Sequence, residues 1–503
     1  MVSMLKTRCW WSGVIALSLF AAACSESDDE SSVAGTATSA EPTIPPTSST
    51  SVATTEVEAG ATTTSLSEVD DELVGQLGGD SDLFPDSGNG GDQVEVWDWD
   101  LTISDDLTGI AGSVDATAVA ERDLRRFSFD ARDLAIESVL VDGVQADFAL
   151  VGPELVITVS ETIDKGATFV VEIDYTTTPS PYSPPGVPFR MGWDVDEGSQ
   201  VLAHGFTGAQ ATWVPSNETV DDARYVMSVT VPDGFVARAA GHLESTTEND
   251  GTQTFVWDTR REVSFATLAI AEYETHVIDT AGFPIEVALP AGSETGRIDT
   301  LSEELPEMVE FLEQLYGPFP FDRLNISAMT NRPFAFAGPM HILIEPTMPT
   351  WLLVHEISHQ WLGNSVGQET DESGWLFEGA ATYTANVLWP EFRSGTDPSR
   401  LAVVLDRDVP SSTRPLDELN EVADLLDSAT YQRGALLYHA LRVEIGDDAF
   451  FATLAAFTDQ HAHSTATPED LQAVAETAAG RELGDFFNAW ISQSAVPDYD
   501  TNP

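Results

Sequence analysis

Thr350-Trp351-Leu352-Leu353-Val354-His355-Glu356-Ile357-Ser358-His359-Gln360-Trp361-Leu362-Gly363 is the stretch on which the rest of the chain is read. Its apolar residues recur at helical spacing, with Thr350 placed as a cap and Gly363 as a stop. On such a helix His355 and His359 lie one turn apart and project from one face. That spacing suits two nitrogen ligands of one zinc ion, each about 2.0–2.1 Å from the metal. Glu356, next to His355, stands where its carboxylate reaches a water at that metal. The plain alternative is a surface helix with two solvated histidines. Val354 and Ile357 argue against it, because they make the helix buried on most sides, and a buried histidine pair beside a buried glutamate calls for a divalent cation.

A catalytic zinc takes three protein ligands and keeps a fourth position open. Glu378 follows His359 by nineteen residues, within Gly374-Trp375-Leu376-Phe377-Glu378-Gly379-Ala380-Ala381-Thr382-Tyr383. Asp371 or Ser373 is placed to cap this second helix and Pro390 to end it. A helix, a loop and an antiparallel helix bring the Glu378 carboxylate to His355 and His359, for one zinc per chain.

With Gln360-Trp361, Gly363-Asn364, Trp375-Leu376 and Glu378-Gly379 added to the histidine pair, the region resembles the gluzincin aminopeptidases, the family of aminopeptidase N, puromycin-sensitive aminopeptidase and the leukotriene hydrolase. Ala429-Thr430-Tyr431-Gln432-Arg433-Gly434-Ala435 is similar to the family's Tyr-x-Lys-Gly-Ala segment, which implies that Tyr431 stabilises the tetrahedral oxyanion. On its own Tyr431 reads as a core tyrosine of an amphipathic helix. Asp222-Ala223-Arg224-Tyr225 and Tyr316-Gly317-Pro318-Phe319-Pro320-Phe321 extend the likeness, which runs from about Gln93 onward without the family's large C-terminal helical-repeat domain. The resemblance implies an α+β multidomain protein: an N-terminal all-β saddle or sandwich domain over 93–275, then a thermolysin-like, mainly α zinc peptidase domain over 276–503. The residues agree with this division. Segments such as Val94–Ile103, Glu154–Val159, Thr168–Tyr175 and Tyr225–Val231 are β-branched and aromatic between turn residues, whereas Glu304–Tyr316, Ala429–Ile445, Ala449–Phe457 and Pro468–Ala478 have helical periodicity.

The resemblance also implies a mechanism. Glu356 is the general base that takes a proton from the attacking water, and Tyr431 faces the oxyanion. One family element departs from its pattern. The Gly-x-Met-Glu-Asn strand, whose glutamate holds the substrate's free ammonium, is matched by Phe336-Ala337-Gly338-Pro339-Met340-His341-Ile342. Gly338 and Met340 are kept, while His341 and Ile342 replace glutamate and asparagine. A second amine-binding element aligns with Leu202-Ala203-His204. Phe377 replaces the usual asparagine before Glu378, and Ala385 stands where the family commonly has an acid that supports a zinc ligand. Gly338, Met340, His341 and His204 are therefore the candidate substrate-binding residues, but a histidine does not favour a cation. Either His204 and His341 meet a carbonyl or an anionic group of the substrate, or another acid such as Glu345 holds the amine. The expected activity is zinc-dependent peptide hydrolysis, by family default an aminopeptidase. The alternatives are a zinc peptidase without free-amino-end selectivity and a catalytically silent peptide-binding surface protein.

The chain around this region has 503 residues, 22 Lys plus Arg against 83 Asp plus Glu, and a formal net charge of −61. Such acidity repels phosphate backbones and speaks against nucleic acid as a partner. Cys9 and Cys24 are the only cysteines, which excludes a disulfide framework and a thiolate zinc site. Residues 1–24 read as a signal peptide: Lys6 and Arg8, an apolar stretch too short to span a bilayer, then Ala21-Ala22-Ala23-Cys24. Small residues before a cysteine resemble the lipobox of bacterial lipoproteins, although Ala21 stands where leucine is usual, and imply lipidation of Cys24. The expected location is extracytoplasmic, with a lipid anchor in the membrane of a bacterial cell and a peptide or protein as substrate. Residues 25–92 are rich in Ser, Thr, Gly, Pro and acids and read as a disordered stalk, or as a mucin-like glycosylated one. His242, His276, His439, His461 and His463 have no partners at diagnostic spacing, and His439 shares a helix with Tyr431.

Overall fold

The computed structural model describes residues 69–77 and 89–499, apart from 181, 184–186, 188–189, 197–198, 206–207, 218–221, 294, 331–334, 346, 369–372, 410–412, 421–423 and 425. The described residues belong to one compact unit. Cys24, the leader, most of the stalk and Asp371 lie outside them.

The folded region begins earlier than Gln93. Gln76–Leu77 pairs antiparallel with Asn89–Gly90, and the Gly75 amide donates to Arg126 O at 2.8 Å. Asn89 is buried, donating to Asp130 at 3.1 Å and accepting from the Ser128 hydroxyl at 2.6 Å. This polar segment is ordered by polar partners of the β-domain rather than by apolar burial, so the expected stalk boundary at 92 is too late.

The β-region is built on an eight-stranded sheet. In spatial order its strands are His242–Asn249, Thr252–Val263, Ala223–Pro232, Asp92–Ile103, Ile110–Ala120, Thr168–Thr177, Ala135–Val141 and Val144–Gln145. Along Asp92–Ile103 the residues Trp97, Trp99, Leu101 and Ile103 turn inward, while Asp98, Asp100 and Thr102 face solvent. Period-two alternation of this kind is what a one-side-buried sheet requires. Trp99 sits edge-on to Trp213 at 5.3 Å and to Tyr225 at 5.2 Å, forming the aromatic centre of the core.

A four-stranded sheet follows, ordered Trp193–Asp196, Gln200–His204, Thr267–Ala271, Val236–Ala239. Beyond it lies a five-stranded sheet of Tyr273–Asp279, Pro284–Pro290, Leu324–Ala328, His341–Ile344 and Ala335–Gly338. The expected boundary at 275 therefore cuts a strand. The change of sheet falls between Ala271 and Tyr273, where the chain leaves one hydrogen-bonded ladder and enters the next. Buried polar groups join the two sheets: Arg238 donates to Glu286 at 2.8 Å, and Asn325 Nδ2 donates to Ala239 O at 2.8 Å and Gly241 O at 2.9 Å.

Among the described residues the α-helices are α1 (Thr295–Tyr316), α2 (Thr350–Ser358), α3 (Gly374–Tyr383), α4 (Trp389–Ser394), α5 (Pro398–Asp408), α6 (Gly434–Ile445), α7 (Asp447–Gln460), α8 (Pro468–Ala479) and α9 (Gly484–Ile491). Two π-helical segments, Thr384–Leu388 and Ala429–Arg433, continue α3 and lead into α6. Pro390 does not end the second helix. It sits in the first turn of α4, into which the π-segment Thr384–Leu388 runs directly, and the chain stays helical through it. Thr350 is not a cap either. Pro349 precedes the helix in an extended conformation, and the Thr350 hydroxyl donates to Glu304 at 3.1 Å. Ser373 does occupy the cap position of α3, without a capping hydrogen bond from its side chain.

Candidate metal centre and active site

α2 ends at Ser358, yet His359 keeps helical angles (φ −62°, ψ −17°), so the one-turn relation to His355 holds. The chain then tightens into a turn that reaches Gly363, at φ +120°, a value glycine adopts without strain. Leu362 O lies 2.9 Å from His359 Nδ1. A carbonyl can only accept, so Nδ1 carries the proton and the lone pair of Nε2 is left facing the site.

The Nε2 atoms of His355 and His359 stand 3.1 Å apart. Glu378, on the second turn of α3, places Oε2 at 3.2 Å from His355 Nε2 and 3.4 Å from His359 Nε2. Four-coordinate zinc with ligands about 2.0–2.1 Å away has ligand–ligand edges of about 3.3–3.4 Å, so this donor set fits the ion. Among the described residues it is the only group of three or more His, Cys, Asp or Glu side chains so arranged.

Electrostatics of the bare site follow from packing opposite charges in a buried place. Burial opposes protonation of His359, but the charge and hydrogen bond of Glu378 outweigh it and push the imidazole up to about 9. The Glu378 carboxyl, despite burial, is held far below the usual range by His359 and His355. Glu356 is buried and its carboxyl is pushed up, by burial first and by Glu378 in the same direction. A raised carboxylate is a stronger base toward water than an exposed one.

Tyr431 is half-buried, and its ring stacks over that of His355 with centroids 6.2 Å apart and planes at 18°. Burial, then the charges of Glu378 and Glu356, push its phenol well above the ordinary tyrosine range, so it keeps its proton and can donate. The π-turn that presents it is anchored on both sides. Thr430 Oγ1 donates to Asp424 O at 2.6 Å, and the buried Arg433 guanidinium donates to Trp490 O at 2.7 Å and Thr413 Oγ1 at 2.5 Å, and also to Gln493 O. A π-segment at a functional position is a recurrent arrangement.

The four candidate substrate-binding residues are placed differently. Gly338 and Met340 flank a tight hairpin between Ala335–Gly338 and His341–Ile344. Gln360 holds both: its Nε2 donates to Gly338 O at 3.1 Å, and its Oε1 accepts from Met340 N at 2.9 Å. Asn364 Nδ2 adds a bond to Ala337 O at 3.1 Å. The sequence reading assigned Gln360 and Asn364 no role. Their signal was their place directly after His359, which ties this edge strand to the metal-binding helix.

Met340 is fully buried. His341 is fully buried too, with Nδ1 2.8 Å from Thr267 Oγ1 and Nε2 2.8 Å from Ser327 Oγ. Both nitrogens are engaged by hydroxyls of neighbouring strands, so His341 does not present a polar group to a substrate, contrary to expectation. Strand alternation is the cause: the hairpin register turns position 341 toward Thr267 and Ser327. His204 is buried and stacked on Phe336 at 4.4 Å, and neither of its ring nitrogens has a hydrogen-bond partner among the described residues. Burial holds the His204 imidazole down to about 4 and that of His341, with Arg238 adding to it, to about 3. Glu345 is occupied by Thr347, accepting from its amide at 3.0 Å and from its hydroxyl. His439 is buried, with Nδ1 3.1 Å from Tyr383 OH. Phe377 and Ala385 are buried apolar residues of the helical core.

Comparison with known proteins agrees with this geometry. Residues 316–490 match the Peptidase family M1 domain. Aminopeptidase M1 of Arabidopsis thaliana is 32 % identical over 157 residues, 29 % of this chain and 18 % of that protein. Aminopeptidase N of Lactobacillus helveticus is 24 % identical over 403 residues, 72 % of this chain and 47 % of that protein. The chain thus spans less than half the length of these curated relatives. Its fold is that of a two-domain M1 zinc metallopeptidase solved with bound L-tryptophan (TM-score 0.76, 24 % identity, 84 % of this chain and 99 % of that one). It is equally that of the M1 zinc metallopeptidase from Deinococcus radiodurans (TM-score 0.74, 24 % identity, 84 % and 98 %). Residues 316–490 are thus similar to the M1 peptidase domain, in line with the gluzincin aminopeptidase resemblance of the sequence.

Proposed function

We propose that this protein is a zinc-dependent metallopeptidase that cleaves peptide bonds, with release of amino-terminal residues as its default activity. The observation that carries the reading is the meeting of His355, His359 and Glu378 donor atoms at 3.1–3.4 Å, with Glu356 buried beside them and Tyr431 stacked on His355. A zinc ion bound there supplies Lewis acidity toward a substrate carbonyl and toward water. Glu356 takes a proton from the attacking water and returns it to the leaving nitrogen. Tyr431, which keeps its proton, donates to the oxygen that gains negative charge. Measuring zinc content and peptide hydrolysis for the wild type and Glu356→Gln tests this. Both proteins should hold one zinc, and the variant should lose about 10²–10⁴ in kcat. Equal activity in the two would end the catalytic assignment.

A second reading concerns substrate ends. The residues matching the family's amine-binding positions are neutral buried imidazoles, His341 and His204, which favours a peptidase without free-amino-end selectivity. Matched peptides with free and acetylated amino ends separate the readings, since cleavage of the free set alone leaves only the aminopeptidase. The run Ala21-Ala22-Ala23-Cys24 supports export and lipid anchoring at Cys24, for which labelling with a radioactive fatty acid in a bacterial host, in wild type and Cys24→Ala, is the test.

A further inference from the structure

We propose that Gly379 and Gly434 are positioning residues for Tyr431, their backbone contact setting where its hydroxyl stands relative to Glu378. The inference rests on the reading of Tyr431 as oxyanion donor. Gly379 directly follows Glu378 in α3, and Gly434 lies one turn after Tyr431, at the junction of the π-segment with α6. A Cβ added to Gly379 would lie 2.6 Å from the carbonyl carbon and 2.7 Å from the Cα of Gly434. One added to Gly434 would lie 2.9 Å from Gly379 Cα and 2.9 Å from Trp375 O. Carbon atoms in contact prefer about 3.5–4.0 Å. Each of these obstacles is backbone, which cannot swing aside as a side chain can, so a methyl group at either position forces the two helices apart.

Conformational freedom does not explain the glycine at 434. Its angles are φ −55° and ψ −49°, ordinary for a helix and open to alanine. Only the approach of the other helix requires it. The crossing has a second pin, because the buried Tyr438 hydroxyl, one turn along α6, donates to Leu376 O of α3 at 2.8 Å. Arg433 meanwhile fixes the same segment to Trp490 O at 2.7 Å. Held at these points, α6 cannot slide away as a unit. Separation at Gly434 becomes a tilt that carries Tyr431 off Glu378 and His355.

The test is a double-variant cycle on the zinc-loaded full chain, using leucyl-para-nitroanilide, or its acetylated form if the wild type prefers it. Gly434→Ala should lower kcat by about tenfold to a hundredfold, as a misplacement of about 1 Å does, with KM held within about twofold and zinc still at one per chain. Added to Tyr431→Phe, it should cost less than about twofold more, because the group it displaces is already gone. A multiplicative loss in the double variant would show that the glycines serve packing alone and overturn the proposal. Full activity of Tyr431→Phe would remove the oxyanion reading and this proposal together. Should Gly434→Ala not fold, Tyr438→Phe loosens the same crossing without added bulk. Its smaller loss of kcat should vanish in the Tyr431→Phe background. No loss, or a loss that persists there, overturns the proposal.

Discussion

Two pairs of histidines in this molecule lie largely out of solvent, in different surroundings. His355 and His359 converge on a carboxylate, and the imidazole of His359 is pushed up to about 9 in the bare site. His204 and His341 lie among strands, facing an aromatic ring in one case and two hydroxyls in the other, and are held near 4 and 3. Burial pushes all such rings toward neutrality. A facing anion reverses the outcome, and hydroxyls do not. What an imidazole does is therefore set by the atoms opposite its nitrogens, which a residue name does not reveal.

The sharpest way to break this comparison is to remove the anion. Glu378→Gln keeps the shape of the site but replaces a charged ligand with a weak neutral one. Zinc affinity should fall by more than the roughly tenfold to hundredfold that loss of an outer partner costs, and hydrolysis should fall with it. Competition against a chelating dye checks this, and unchanged affinity would show that Glu378 is not a ligand. A smaller effect is expected from Tyr431→Phe, which touches the chemistry but not the metal. It should lower kcat by about 10²–10³, the loss typical of one oxyanion donor, with zinc retained. Steady-state kinetics with metal analysis separates the two variants.

How much of this was legible in the sequence depends on what kind of element carried each residue. His355 and His359 meet because a helix returns every fourth residue to the same face, and that survives even though α2 ends before His359. The helical periodicity of α1, α7 and α8 and the alternation of Asp92–Ile103 were equally local and readable. Glu378 was found from its place on a second helix nineteen residues after His359, and Tyr431 through motif resemblance. Their meeting depends on Gly379 lying against Gly434, a contact between segments far apart in the chain that no spacing encodes. The helices α5 and α9 went unread although both runs are amphipathic. His341 was misread because a strand offers two faces one residue apart. Its partners Thr267 and Ser327 sit on strands 74 and 14 residues away in the chain.

The other side of the comparison predicts stability rather than catalysis. If His341 is a neutral bridge between Thr267 and Ser327, then His341→Leu leaves two buried hydroxyls unpaired. It should cost about 1–3 kcal/mol at pH 7, with kcat and KM moving less than about twofold. The pH dependence gives the sign of the effect. The folded pKa, about 3, lies below the ordinary histidine value of 6.5, so the unfolded chain binds the proton more readily than the folded one. Stability due to this ring is complete above the unfolded value and is lost as pH falls from there toward the folded one. The wild type should therefore lose about 2 kcal/mol more than the variant between pH 7 and pH 5, narrowing or reversing its lead. Urea unfolding of both proteins at the two pH values reads this directly, since groups they share cancel in the difference. A constant difference across that range, or a large rise in KM on substitution, would mean that the ring meets water or substrate after all, and that the two pairs of histidines differ less than their surroundings imply.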